Sequence, residues 1–485
     1  MRADRPCILV YNPISGHGHL DSWNAMFVSL LLDQGWRVLA LTPDIPALTS
    51  RLARKNLDDL TRLQVLDWNA RPADYAADGF GERLRRAWSR WNQLGTTFGH
   101  RRAGGEFARD ARRLGRWKAR LFRIAVPPLF LATRLLHAGY RKCQGAPDRR
   151  SITTATGTSV KGELTIEADA RIETEANYLD PGEFGLRVCG ALNGSRWTPA
   201  LVLNMYMDMY KTDDINWARF SAWCALPWGG IRFVPPETPF EGYYGLPSLR
   251  GMCFLDENAC RVHRERLPAK RFEHLPDVTD ATLPDEPSEL VRGIKRLARG
   301  RKIVFLGGSI GGQKNLARWF EVVRMADPDE WYFVQVGELH QGTLTAEDTA
   351  ALARVRASQP ENLFIKAEYL PDEAAFNDVI RTADVIFAVY RDFRISSNMP
   401  GKAASFRKPI LVSDRYLMGD AVTRYGIGLA VPEDSAMQML VGLEQLARNS
   451  IPEGCFMRYS EDFSERALAE HLVSFITECA GGETR

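Results

Sequence analysis

The chain has little charge of either sign to spare: 63 Lys and Arg stand against 60 Asp and Glu in 485 residues, a net of +3. That balance excludes a histone-like polycation and an acidic solvating tail. Cysteine is sparse as well. The eight are scattered and no two are spaced as C-x2-C, which fits neither a zinc site nor a secreted disulfide framework; reduced thiols in a reducing compartment are expected. Long apolar runs are missing too. The first, Cys7 to Tyr11, breaks at Asn12-Pro13 and is too short for a signal peptide. The longest, Ile124 to Leu136, contains Pro127-Pro128 and Arg134 and is about thirteen residues, whereas a membrane-spanning helix needs roughly twenty.

What is present is unevenly placed. Residues 83–150 hold 18 Lys/Arg and 3 Asp/Glu, a net of +15 that leaves −12 on everything else. Three readings of this segment compete. Trp88, Trp91 and the apolar Leu121 to Leu136 stretch, interleaved with arginines, favour an anionic membrane surface. Nucleic acid is not expected, because no recognised binding module accompanies the charge. A solvated pair of basic helices is the plain alternative. Residues 151–180 turn to Ser, Thr and Glu and read as a polar surface loop.

Outside that segment, apolar runs alternate with helix-length stretches. Cys7-Ile8-Leu9-Val10-Tyr11, a turn at Ser15-Gly16-His17-Gly18-His19, helical spacing of Trp23, Phe27, Leu30 and Leu31, then Trp36 to Leu41 make a βαβ opening. After Pro276 to Glu289, which reads as a linker, six short strands recur: Ile303 to Leu306, Trp331 to Val336, Leu363 to Ile365, Val385 to Val389, Ile410 to Val412 and Gly428 to Val431. Such alternation implies a doubly wound parallel sheet. Two of these in tandem place a ligand where their carboxyl ends meet.

Two loops carry candidate chemistry. Gly307-Gly308-Ser309-Ile310-Gly311-Gly312-Gln313-Lys314 lies between a buried strand and a helix. Its glycines let backbone approach a ligand, the helix start favours anionic oxygen, and Lys314 adds a full charge, a combination suited to a diphosphate. The second loop, Arg391 to Lys402, puts Ser396, Ser397 and Asn398 at a helix start beside Arg394 and Lys402, a second anion site that would stabilise a leaving group by fixed donors. His19 is a candidate base for an acceptor hydroxyl, with Gly16, His17 and Gly18 on the acceptor side. The aromatic band from Tyr206 to Tyr244 belongs mostly to the core.

Residues 302–435 resemble the donor-binding domain of GT-B glycosyltransferases, in particular the retaining family 4 type. The matching blocks are Phe305-Leu306-Gly307-Gly308 with Lys314, Phe333-Val334-Gln335-Val336-Gly337-Glu338, Asn362 to Ala367, Ala383-Asp384-Val385-Ile386, Lys408 to Ser413 and Gly426 to Leu429; Phe272 to Asp277 adds a shorter likeness. The resemblance implies an α/β GT-B fold, two facing Rossmann-like doubly wound domains with a cleft between them. It implies an acceptor domain over residues 1–280, a donor domain over 290–460, and a helix over 461–485 crossing back to the first. It further implies sugar transfer from a nucleotide-diphosphate sugar as co-substrate, without another cofactor. Lys314 and Arg394 would then act at the diphosphate, and Glu338 and Tyr369 would join the donor-binding residues. At the two positions of the family's Glu-x7-Glu motif this chain has Arg394 and Lys402.

No catalytic metal is expected: Asp327-Pro328-Asp329 has the letters of an Asp-x-Asp motif but precedes a strand and reads as a turn, and Asp213-Asp214 reads as a helix cap. The acceptor expected from the basic segment is a glycolipid or lipid-linked glycan, met from the cytoplasm at the inner face of the plasma membrane. The alternative is a catalytically silent partner that activates another transferase.

Overall fold

A computed structural model describes residues 5–15, 20–55, 60–70, 72, 178–235, 242–370 and 372–481. They all lie in one compact unit. The basic segment, residues 151–177 of the polar loop and the Gly16 to His19 turn lie outside the described residues.

The described strands form two parallel sheets. The first has seven: β1 (Cys7–Tyr11), β2 (Arg37–Leu41), β3 (Leu63–Leu66), β4 (Pro199–Asn204), β5 (Trp228–Arg232), β6 (Leu249–Phe254) and β7 (Arg271–His274), in the order β3-β2-β1-β4-β5-β6-β7. The second has six: β8 (Lys302–Gly307), β9 (Trp331–Val336), β10 (Leu363–Lys366), β11 (Val385–Ala388), β12 (Ile410–Ser413) and β13 (Gly428–Val431), in the order β10-β9-β8-β11-β12-β13. Central strands such as β1 and β9 are buried along their whole length, because helices cover both faces of a parallel sheet and leave no polar side. In each sheet the winding direction reverses beside the first strand, between β1 and β4 and between β8 and β11. Loops leave opposite ways at such a point and open a crevice at the carboxyl ends.

Most of the aromatic band is core. Tyr206, Tyr210, Trp217, Phe220, Trp228, Tyr243 and Tyr244 are buried, with Trp217 stacked on Trp228 at 5.5 Å. Trp223 and Phe233 are partly exposed. The helix Trp217–Trp223 begins after Asn216 rather than at the Asp213-Asp214 pair; Asp214 instead accepts from the Asn216 amide at 2.7 Å. Asp327 accepts from the Asp329 amide at 2.9 Å, so Asp327 to Asp329 is a turn.

The last helix, Glu465–Ala480, packs on β4, β6 and β7 and on the helix Leu20–Asp33 of the first sheet. Phe475 and Ile476 are wholly buried there, each worth about 1.5–3 kcal/mol of apolar burial. His471 Nδ1 meets Glu273 Oε1 at 2.7 Å, and Arg271 pairs with Glu478 at 3.1 Å. The segment between the sheets is bound along its length to the second one. Asp277 accepts from Ser396 Oγ at 2.6 Å and Asp378 accepts from the Ser288 amide at 2.8 Å. At Gly401 a Cβ would come 2.0 Å from Thr279 Oγ1, so only glycine lets the helix Met399–Phe406 approach the linker this closely.

Candidate functional site

The two candidate loops leave adjacent strands at the switch point of the second sheet, one after β8 and one after β11. The first is braced by the turn after β9. Ile310 donates to Glu338 O at 2.8 Å and His340 to Ile310 O at 3.0 Å. Gly308 and Gly337 have φ of +96° and +149°, and a Cβ on Gly337 would stand 1.8 Å from Gly308 O. Both glycines are therefore required where the loops touch.

Lys314 ends a short 3-10 turn, Gly312–Lys314, just before the helix Leu316–Met325. Its Nζ lies 3.8 Å from the centroid of the Tyr390 ring, and among the described residues no carboxylate or carbonyl oxygen accepts from it. Burial, with no charge near enough to offset it, lowers its pKa from 10.5 to about 7. The cation–π contact supplies part of what water would, about 0.5–2 kcal/mol. An anion brought to this ammonium would restore its charge. Ser309 and Glu338 are exposed near by, Gly311 is buried, and Tyr369 is exposed. The first helical turn offers less than expected, because the Ala317 amide already donates to Asp348 at 2.8 Å.

The second loop differs in kind. Ser396 is spent on Asp277 of the linker, and the Asn398 carbonyl faces Thr279 Oγ1 at 3.4 Å. Ser397 accepts from the Met399 amide at 3.3 Å and lies beside the Tyr390 phenol. Lys402 is the clear correction. Expected beside a diphosphate, it is wholly buried, and its ammonium donates to Glu373, Asn377 and, at 2.9 Å, Asp280 O. Those partners belong to the helix Glu373–Thr382 and the linker, so Lys402 pins the linker to the second sheet's helices. Arg394 stays half exposed, 3.4 Å from Asp392 and with its guanidinium 5.2 Å from the Tyr416 ring centroid. The Tyr416 hydroxyl donates to Asp392, and it is foremost this bond that holds that carboxyl below its usual range. Asp392 and Tyr416 both have positive φ, 44° and 61°.

Arg391 and Asp348 received no role from the sequence. Asp348 is wholly buried and accepts from Thr345 Oγ1, the Ala317 amide and both ends of the Arg391 guanidinium. Burial alone would raise its carboxyl, but these bonds outweigh burial and hold it low. The available signal was the pair Thr345 and Asp348, spaced as a capping box. His19 and Gly16, His17 and Gly18 lie outside the described residues.

No protein-family model matches the chain, and no curated protein sequence matches it. Solved structures do. A glycosyltransferase from Rickettsia africae superposes with a TM-score of 0.53 at 9% identity, over 98% of this chain and 99% of that one. A trehalose-6-phosphate structure from Escherichia coli, described as bound with UDP-2-fluoro glucose, gives 0.51 at 12% identity over 99% and 100%. The chain has the GT-B fold. The N-terminal domain of a trehalose-6-phosphate phosphatase from Candida albicans is also similar, at 0.54 and 11% identity over 99% and 97%. Within this GT-B chain, Lys314 sits at the switch point of the second Rossmann-like sheet, and the last helix returns to the first. No helix among the described residues is long and apolar enough to cross a membrane.

Proposed function

We propose that the protein is a glycosyltransferase that moves a sugar from a nucleotide-diphosphate sugar to a glycolipid or lipid-linked glycan. Lys314 carries the reading: it is a lysine held at a switch point, short of charge near neutrality, with an aromatic face behind it and no oxygen partner among the described residues. A diphosphate supplies the missing oxygens, and as the bond to the sugar breaks, the growing charge on the leaving oxygen strengthens that contact. The nucleotide sugar named for the E. coli neighbour is of the class this turn suits. A fixed cation serves here in place of a metal, and retention follows if the departing phosphate takes the acceptor proton. The lipid-linked acceptor rests on the composition of residues 83–150, which suits an anionic membrane surface at the inner face of the plasma membrane.

One observation favours a second reading, a silent partner of another transferase. Arg394 is paired with Asp392 and Lys402 is locked in the linker, so neither motif position offers a carboxylate to a ribose. Incubation with a panel of nucleotide sugars separates the two. Release of nucleoside diphosphate, lost in Lys314→Met, supports the enzyme; donor binding without release over hours supports the silent partner. For the membrane, sedimentation with phosphatidylserine vesicles that weakens with salt is expected, and equal binding to neutral vesicles would count against it.

A further inference from the structure

We infer that Arg391, anchored by Asp348, is the positioning residue that aims the Lys314 ammonium into the switch point, an inference that rests on reading Lys314 as the diphosphate ligand. The residues on either side of Lys314 are tied to this one residue, through its backbone amide and its guanidinium. The Arg391 amide donates to Gln313 O at 2.8 Å, its Nη1 to Gly312 O at 3.2 Å and its Nη2 to Asn315 Oδ1 at 3.0 Å. The two residues before Lys314 and the one after it are thus tied to the loop after β11. The same guanidinium grips both oxygens of Asp348, at 2.8 and 3.2 Å. Asp348 in turn fixes the start of the next helix through the Ala317 amide. Asn315, in a left-handed conformation at φ 57°, closes the frame by donating to Glu433 O at 2.7 Å.

The frame has a chemical consequence. A lysine has four rotatable side-chain bonds and a charged end that prefers water, so an unpinned Lys314 would swing outward and behave as an ordinary surface ammonium. Held by its neighbours, it stays against Tyr390. Among the described residues its charged end meets the Tyr390 ring, with Gly308 alongside, and the turn that carries it is tied to the Arg391–Asp348 ion pair; burial is the cause of its lowered pKa. Arginine is required because its planar fork reaches the Gly312 carbonyl, Asn315 and the carboxylate together, whereas a lysine bonds from one point.

The test follows the protonation of Lys314 in the full chain, by competitive acetic anhydride labelling and mass spectrometry from pH 6 to 10. In the wild type the labelling midpoint is expected near pH 7. Arg391→Met moves it upward by about one unit or more, towards the ordinary lysine value near 10.4, and Arg391→Lys gives a midpoint between the two. Calorimetric titration with inorganic pyrophosphate runs alongside, with affinity expected to fall roughly tenfold in Arg391→Met. A wild-type midpoint in Arg391→Met overturns the inference, as does one in Arg391→Lys should the first variant not fold. If the midpoint moves as expected while the wild type ignores pyrophosphate, the positioning role stands and the diphosphate reading falls.

Discussion

Lys314 and Lys402 are two lysines set at the starts of helices that follow neighbouring strands of one sheet, and they have opposite surroundings. Lys402 is wholly buried yet has three oxygen partners from two separate segments. Lys314 keeps some exposure and, among the described residues, has only the face of Tyr390. A buried charge with its partners in place is a structural joint; one without them is a cost that a ligand can relieve. Position beside a switch point does not by itself mark a binding residue. What marks it is whether the fold has already spent the charge.

The largest expected effect lies on the spent side. Lys402→Met leaves Glu373 and Asn377 Oδ1 without this donor and the Asp280 carbonyl with Asn377 Nδ2 alone, and denaturant unfolding should show a loss of about 2–3 kcal/mol, the low end for a broken buried pair because Glu373 is half exposed. Unchanged stability would break the comparison. Lys314→Met should do the reverse. Removing an ammonium that has no oxygen partner among the described residues raises the melting temperature by about 1–3 °C at neutral pH, while pyrophosphate affinity falls roughly 10–100-fold, as for loss of a charge-assisted bond. The sign of the stability change can be checked. The unfolded lysine holds its proton to about 10.5 and the folded one to about 7, so the wild-type penalty is full below pH 7 and vanishes as pH rises past 10.5.

How the two lysines read from sequence explains where sequence reading stops. The strands β8, β9, β11 and β12 are legible as apolar runs because nearly every residue in them is buried. The glycine turn was legible because strand, glycines and lysine are contiguous. The edge strand β3, Leu-Gln-Val-Leu, is too short and too mixed to stand out. The fate of Lys402 depends on Glu373 and Asn377, 29 and 25 residues away, and on a linker carbonyl 122 away. That of Lys314 depends on Arg391, whose own anchor is 43 residues distant. Periodicity reports which face a residue is on; it carries no information about which distant group meets it there.

A smaller effect sharpens the contrast through pH. In the unliganded protein Lys314 loses its proton near pH 7, whereas a bound diphosphate stabilises the charged form and raises that value. Between the two, binding takes up one proton, so pyrophosphate affinity should fall by up to about tenfold per unit as pH climbs from 7 to 9. Calorimetry in buffers of different ionisation enthalpy would report the proton uptake directly. Lys314→Met should keep only the pH dependence that comes from the ionisation of pyrophosphate itself, and a wild-type profile no different from the variant's would mean that the ammonium does not face the ligand.

The smallest effect is expected at Arg394, whose surroundings are intermediate between those of the two lysines. It is half exposed, and its ion pair with Asp392 is long, at 3.4 Å, with Asp392 also held by Tyr416. An exposed pair of this kind contributes about 0–1 kcal/mol. Arg394→Ala should therefore leave stability within about 0.5 kcal/mol and weaken pyrophosphate roughly 2–5-fold, by loss of long-range charge alone. High salt should erase that difference while leaving the Lys314→Met deficit in place, because water and ions screen an exposed guanidinium far more than a buried ammonium. A salt-resistant loss in Arg394→Ala as large as that of Lys314→Met would show that Arg394 abandons Asp392 for the ligand, and the site would then hold two waiting cations in place of one.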